Sequence, residues 1–287
     1  MRRMQAWKLA GMAAAALALA GLVAACSTAG GGADKAAASS GTDAQFVWHD
    51  LLTRDPAAAR KFYGELLGWE FEKIEAVGQA YYLAKQGDRY IGGIVGMAPG
   101  GNGGPQWLTY LTVPDVDAAL VQLEAAGGRR VIQPTDVAVG RVAVATDPQG
   151  APVGLARVNG KIDELAAASS DGAFAWTDYF AADPTAAANF YSQLAGFEIS
   201  QHGSAQVPYL LLKSDQVRAG VLKNPVDGVA PNWLPYVNVR DLSAAVERVS
   251  VLGGTVVIPP SPLIRNGTVA VIKDPTGGVV ALQTNAG

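Results

Sequence analysis

Apolar and polar side chains alternate over residues 46–52 and again over 108–113, the period-two pattern of strands with one buried face. An Asp suited to an N-cap follows such a strand, with Pro at the first helical position in Asp55-Pro56 and Asp183-Pro184. The period then changes: Ala59, Phe62, Tyr63, Leu66 and Leu67 recur at three- and four-residue spacing and predict a helix with one apolar face. Gly68, Gly127, Gly196 and Gly253 stand where such helices would close in a left-handed cap. About three short strands follow each helix, in the first case over 69–74, 79–86 and 89–95. The unit is βαβββ, and the pattern occurs four times.

These four units form a duplication of two pairs. Phe46, Trp48, Asp50 and Asp55-Pro56 recur as Phe174, Trp176, Asp178 and Asp183-Pro184 at an offset of 128, as do Phe62-Tyr63 and Gly68 in Phe190-Tyr191 and Gly196. Trp107, Tyr110, Asp115 and Gly127-Gly128 recur as Trp233, Tyr236, Asp241 and Gly253-Gly254 at 126. The pair Asp147-Pro-Gln-Gly150 and Asp274-Pro-Thr-Gly277 is offset by 127. Both lie between strands, where Pro fixes φ and Gly accepts positive φ, so they read as hairpin turns. The Gly-rich stretch 100–104 precedes a strand, whereas phosphate loops open a helix, and it reads as a linker.

The N-terminus changes the picture from a cytosolic to an exported protein. Arg2, Arg3 and Lys8 precede an apolar run of 17 residues, 9–25, short for a permanent membrane span and rich in Ala and Gly. The run ends in Val23-Ala24-Ala25-Cys26, similar to a bacterial lipobox, in which the Cys sulfur carries the lipid. Ordinary secretory cleavage leaving a free thiol is the alternative. Cys26 is the only cysteine, so the domains must be stable without an intrachain disulfide. The expected organisation is a signal peptide over 1–25, a flexible tether over 26–44, domains over 45–158 and 172–285, and a linker over 159–171. The tether would reach roughly 23 Å as a random coil. After cleavage 19 basic residues face 25 acidic ones, a net charge of −6. That balance and the lack of basic runs argue against nucleic acid and against electrostatic membrane binding, leaving the lipid on Cys26 as the anchor to the cell envelope.

Paired βαβββ units with an Asp-Pro and Phe-Tyr helix, a Gly-Trp or Gly-Phe after it and a closing Asp-Pro-x-Gly hairpin resemble the vicinal oxygen chelate superfamily, the glyoxalase, bleomycin-resistance and dioxygenase proteins. The resemblance covers nearly all of 45–284 and implies an α+β fold of two tandem domains, each with two units curled around a cup. Metal-dependent members hold a divalent ion in that cup, and the bleomycin-binding members use it without one. The positions that the resemblance assigns to metal ligands carry Trp48, Leu108 and Gly154 in the first copy and Trp176, Leu234 and Ala281 in the second, none of which can bind a metal. The expectation is therefore no metal and no cofactor. The two histidines offer little instead. His49 neighbours a ligand position but alternates to the opposite face, and its repeat partner is Thr177, while His202 sits in a turn-like stretch beside Gly203.

Alternation leaves Trp48, Asp50 and Leu52 facing the first cup together with Leu108, Tyr110 and Thr112. In the second copy the same faces carry Trp176, Asp178 and Phe180, and Leu234, Tyr236 and Asn238. Each candidate site thus combines a Trp, a Tyr and an Asp: Trp48, Asp50 and Tyr110, then Trp176, Asp178 and Tyr236. Indole and phenol faces stack on flat or cationic molecules, and a carboxylate selects a positive or hydrogen-donating group. The expected partner is a small apolar or aromatic molecule, cationic where it is charged. A metal-dependent lyase, isomerase or dioxygenase is one alternative. The other is an interaction protein whose Trp residues plug the cups.

Overall fold

The computed structural model describes residues 44–76, 79–98, 103–137, 140–159, 170–203 and 208–284. The expected signal peptide, Cys26, nearly all of the expected tether, most of the linker and part of the Gly-rich stretch lie outside the described residues. No described helix is long and apolar enough to cross a membrane.

The first domain contains β1 (Phe46–Thr53), α1 (Pro56–Leu67), β2 (Glu70–Ala76), β3 (Gln79–Gln86), β4 (Arg89–Gly96), β5 (Gln106–Thr112), α2 (Val116–Ala125), β6 (Arg129–Val137), β7 (Gly140–Thr146) and β8 (Pro152–Val158). The second repeats the order with β9 (Phe174–Ala181), α3 (Pro184–Ala195), β10 (Glu198–Gly203), β11 (Pro208–Lys213), β12 (Val217–Lys223), β13 (Asn232–Asn238), α4 (Leu242–Val251), β14 (Thr255–Ile258), β15 (Val269–Lys273) and β16 (Val279–Gln283). Each domain is one eight-stranded mixed sheet, ordered β2-β3-β4-β1-β5-β8-β7-β6 and β10-β11-β12-β9-β13-β16-β15-β14. The βαβββ units of a domain join where their first strands pair antiparallel, β1 with β5 and β9 with β13. The expected α+β fold of two tandem domains is what the chain adopts.

The helices start and stop for the reasons their sequences suggest. Asp55, Asp115, Asp183 and Asp241 each accept a hydrogen bond from the backbone N–H three residues on. Gly68 and Gly196 close α1 and α3 at φ 73° and 76°, a region an L side chain enters only at a cost.

Each sheet has two different faces. The convex faces carry the helices and pack against one another, so that side chains from both domains share two apolar cores. The joint is reciprocal. Phe46, opening β1, packs on Phe197 and Trp233 of the second domain at ring separations of 6.2 and 4.7 Å. Phe174, opening β9, packs on Trp69 and Trp107 of the first at 5.6 and 5.3 Å. The hairpin Asp residues take part in this joint as well as in their turns. Asp147 Oδ1 accepts from the backbone of Gln149 and Ala151, while its Oδ2 accepts from the Tyr191 hydroxyl at 3.0 Å. Asp274 Oδ2 accepts from Tyr63 at 2.9 Å in the mirrored contact. The turn reading of these motifs holds, and the cross-domain hydrogen bond adds to it.

The concave faces form separate apolar clusters. In the first domain Ile74 of β2 and Val131 and Ile132 of β6, from opposite ends of the strand order, pack with Tyr81, Leu108 and Tyr110 at the centre. The two ends of the strand order thus share one continuous apolar face with its middle.

Candidate functional site

At the floor of the first cup, strand pairing sets Trp48 opposite Tyr110 and Asp50 opposite both Leu108 and Gly93. Alternation then turns Trp48 and Asp50 to the concave side. The Trp48 Nε1–H donates to Asp50 Oδ1 at 2.9 Å, and Tyr81 on β3 donates its hydroxyl to the same oxygen at 2.9 Å. Trp48 Nε1 also lies 3.2 Å from the Tyr81 hydroxyl. Asp50 is completely buried, and Asp50 Oδ2 and the Tyr110 hydroxyl make no hydrogen bond of ordinary geometry among the described residues, though Tyr110 stands near enough to act on the carboxylate. Burial pushes the Asp50 pKa up to about 6, against the opposing pull of its Trp48, Tyr81 and Tyr110 neighbours. Tyr81 and Tyr110 are themselves pushed well above the ordinary phenol range, by burial and then by the charge on Asp50.

The second cup repeats this arrangement and completes it. Trp176 Nε1 and the Tyr209 hydroxyl donate to Asp178 Oδ1 at 2.7 and 2.8 Å, and the Tyr236 hydroxyl donates to Asp178 Oδ2 at 2.6 Å. Arg265 adds a cation: its Nη2 donates to Asp178 Oδ2 at 3.2 Å and to the Tyr209 hydroxyl at 2.7 Å. The six residues singled out in the sequence thus gather into two groups of three, each joined by residues that strand alternation on β1 and β5 alone does not reveal: Tyr81 in the first cup, Tyr209 and Arg265 in the second. Tyr81 and Tyr209 are repeat partners at the offset of 128, the signal that could have found them.

Glycines make room for each cluster. A Cβ on Gly93 would lie 2.4 Å from both Asp50 Oδ1 and the Tyr81 hydroxyl, and one on Gly220 would lie 2.2 Å from the Tyr209 hydroxyl. A Cβ on Gly154, the last-strand position that the resemblance assigns to a metal ligand, would lie 2.2 Å from the Tyr110 ring. Tyr110 occupies the space that a ligand side chain at 154 would need.

The described residues do not offer the donor set of a divalent ion. Among the described residues no three His, Cys, Asp or Glu side chains converge on a point. His49 lies on the convex side, as alternation predicts, with Nδ1 3.0 Å from Thr109 Oγ1 and its ring 4.2 Å from that of Phe174. Burial pushes its pKa down to about 3, so it is neutral at ordinary pH. His202 lies exposed near the end of β10.

Two curled eight-stranded sheets, each built from paired βαβββ units around a concave site, define a tandem-domain member of the vicinal oxygen chelate class. The profile of the Glyoxalase/Bleomycin resistance protein/Dioxygenase superfamily matches residues 45–155 and 173–282, and the chain belongs to that family. It is 31% identical over 245 residues to the glyoxylase-like protein CFP32 of Mycobacterium tuberculosis, covering 82% of this chain and 92% of that one. It is 30% identical over 248 residues to the anthracycline biosynthesis protein DnrV of Streptomyces peucetius, covering 80% and 90%. Among solved structures the Mn(II)-bound glyoxalase of Novosphingobium aromaticivorans is similar with a TM-score of 0.57 at 17% identity, over 85% of this chain and 82% of that one. The 2,2',3-trihydroxybiphenyl 1,2-dioxygenase of Sphingomonas wittichii gives 0.57 at 16% identity, over 85% and 91%. At such identities these two likenesses concern the fold alone.

Proposed function

We propose that this chain is an envelope-anchored, glyoxalase-like lipoprotein that binds a small organic molecule in its cups without a metal. The observation that carries the binding reading is Asp50: a fully buried carboxylate set among Trp48, Tyr81 and Tyr110 with Oδ2 left without a donor. Burying an ionisable group with an unused oxygen is costly, and a bound molecule that donates to it removes the cost. The Trp48 indole, the only partly exposed member of the group, offers a stacking face toward solvent. The ligand is accordingly apolar or aromatic, and cationic where it is charged. The name of the relative DnrV links it to anthracyclines, flat fused-ring compounds, which agrees with an indole platform. In the second cup a ligand must compete with Arg265, so the first cup is the more available site. Metal-dependent glyoxalase or dioxygenase chemistry, suggested by the structural neighbours, is opposed by Trp48, Leu108 and Gly154 at the ligand positions.

Tryptophan fluorescence tests the binding reading. A panel of aromatic, cationic and hydrophobic compounds should contain members that quench or shift the emission of the parent. Trp48→Ala should weaken binding of those compounds several-fold to tens-fold, the scale of one aromatic stacking contact at about 0.5–2 kcal/mol. If no compound perturbs the parent, or if folded Trp48→Ala and Trp176→Ala both bind as it does, the Trp residues are plugs and the interaction-protein reading replaces this one. The anchor is supported by the basic start, the short apolar run and Val23-Ala24-Ala25-Cys26. Cys26→Ser should release the protein to the soluble fraction or leave it unprocessed. Fractionation and gel migration like the parent's would remove the lipid from the account.

A further inference from the structure

Among the described residues the second cup contains a cation that the first lacks, and the chain supplies it. Arg265 and Asn266 follow β14 in a turn where both take positive φ, 45° and 54°, a conformation L residues adopt at a cost. From there the Arg265 guanidinium reaches Asp178 and Tyr209 and lies 4.9 Å from the Tyr236 ring centroid and 5.4 Å from that of Trp176. The Asp178 side chain is 3% exposed in this pairing.

Every other group of that site is duplicated. Trp48, Asp50, Tyr81 and Tyr110 correspond to Trp176, Asp178, Tyr209 and Tyr236. The cation is not duplicated. The repeat offset changes from 126 to 127 between Gly254 and Asp274, so the second copy carries one extra residue in the segment that holds Arg265. The corresponding segment of the first copy, ahead of Gly140, reads Ala138-Val139. Among the described residues no Lys or Arg pairs with Asp50. The two atoms without partners in the first cup, Asp50 Oδ2 and the Tyr110 hydroxyl, correspond to Asp178 Oδ2 and the Tyr236 hydroxyl, which bond each other beneath Arg265.

We propose that the first cup binds an alkylguanidinium from outside the chain, through the contacts that Arg265 makes in the second. This rests on the small-molecule reading above and narrows it to a ligand class. A guanidinium is planar, so it stacks on Trp48 and Tyr110 while its N–H groups reach Asp50 Oδ2. An ammonium offers a compact charge without the stacking plane. Asp50 is fully buried in this structure, so an entering cation must displace part of the group that covers it.

Calorimetric titration of the full processed chain with benzylguanidinium, benzylamine and benzyl alcohol tests this. Benzylguanidinium should bind at one site per chain, more tightly than the amine, with the neutral alcohol weakest. Asp50→Asn should weaken the guanidinium roughly tenfold or more while leaving the alcohol little changed. Arg265→Ala should vacate the second cup and raise the stoichiometry from one to two, and the Asp50→Asn, Arg265→Ala double variant should return it to one. If Arg265→Ala does not fold, the Asp50→Asn comparison decides alone. Benzylguanidinium binding no better than benzyl alcohol, or binding unaffected by Asp50→Asn, overturns the proposal while the broader small-molecule reading stands on other hits of the panel. Failure of every compound in both experiments removes both.

Discussion

The Tyr63 hydroxyl on α1 of the first domain donates to Asp274 Oδ2 in the closing hairpin of the second at 2.9 Å, and Tyr191 repeats the contact with Asp147 at 3.0 Å. Each Tyr hydroxyl also receives an indole N–H, from Trp107 at 3.3 Å and from Trp233 at 3.0 Å. The Trp-Tyr-Asp chains are buried and clamp the domains back to back, which leaves both cups facing outward.

Tyr63→Phe and Tyr191→Phe should each remove about 1–3 kcal/mol of stability, because each strands a buried indole N–H and a carboxylate oxygen. Denaturant unfolding measures the loss, and the losses should add in the double variant because the two chains share no residue. Unchanged midpoints would mean that these hydrogen bonds do not hold the joint.

Adjacent residues on β1 should oppose each other in pH dependence. His49, pushed down from 6.5 to about 3, contributes stability that is present above pH 6.5 and lost as pH falls toward 3. Asp50, pushed up from 3.8 to about 6, contributes stability that is present below pH 3.8 and lost as pH rises to about 6. Between about pH 4 and 6 the two slopes cancel. The phenols of Tyr81 and Tyr110 that face Asp50 stay protonated there, and Thr109 beside His49 does not titrate. Relative to the parent, Asp50→Asn should steepen the rise of unfolding free energy with pH by about 1.4 kcal/mol per pH unit, and His49→Gln should tilt it the other way by a similar amount. Urea titrations at stepped pH read both slopes, and parallel curves for parent and variants would refute the coupling.

Gly93→Ala should cost about 1–3 kcal/mol and disrupt ligand binding, since the added methyl collides with Asp50 and Tyr81. Gly68→Ala provides the comparison. Its Cβ meets open space, so only the positive φ penalises it, at about 1 kcal/mol, and ligand binding should survive. Equal binding by both variants would place the ligand elsewhere.

Much of this architecture is legible from periodicity, caps and the duplication, because each reflects a local constraint: a strand's alternation, a helix's orphan N–H groups, a positive φ after its last turn. The same alternation places Trp48, Asp50 and Tyr110 on one face, since β1 and β5 are neighbours. Tyr81 escapes it because β3 is two strands from β1, and its hydroxyl meets Asp50 across Gly93 of the intervening β4, an adjacency that alternation on β1 and β5 does not encode. Arg265 escapes for another reason: a one-residue change in repeat spacing is its only trace, and nothing local says that its side chain folds back over Asp178. The hairpin Asp residues are half legible. One oxygen serves the turn that the motif advertises, and the other serves a Tyr in a different domain, 44 residues away for Asp147 and 211 for Asp274.

On the proposed function these cups recognise an organic ligand through aromatic and carboxylate groups and without a bound metal. Elemental mass spectrometry decides between ligand and metal, on the processed protein purified without chelator, equilibrated with zinc, nickel, iron or manganese and dialysed. Well under one divalent ion per domain is expected, unchanged in Asp50→Asn and Asp178→Asn. Near-stoichiometric metal that is lost in either variant would contradict it and make those carboxylates ligands of a metal centre.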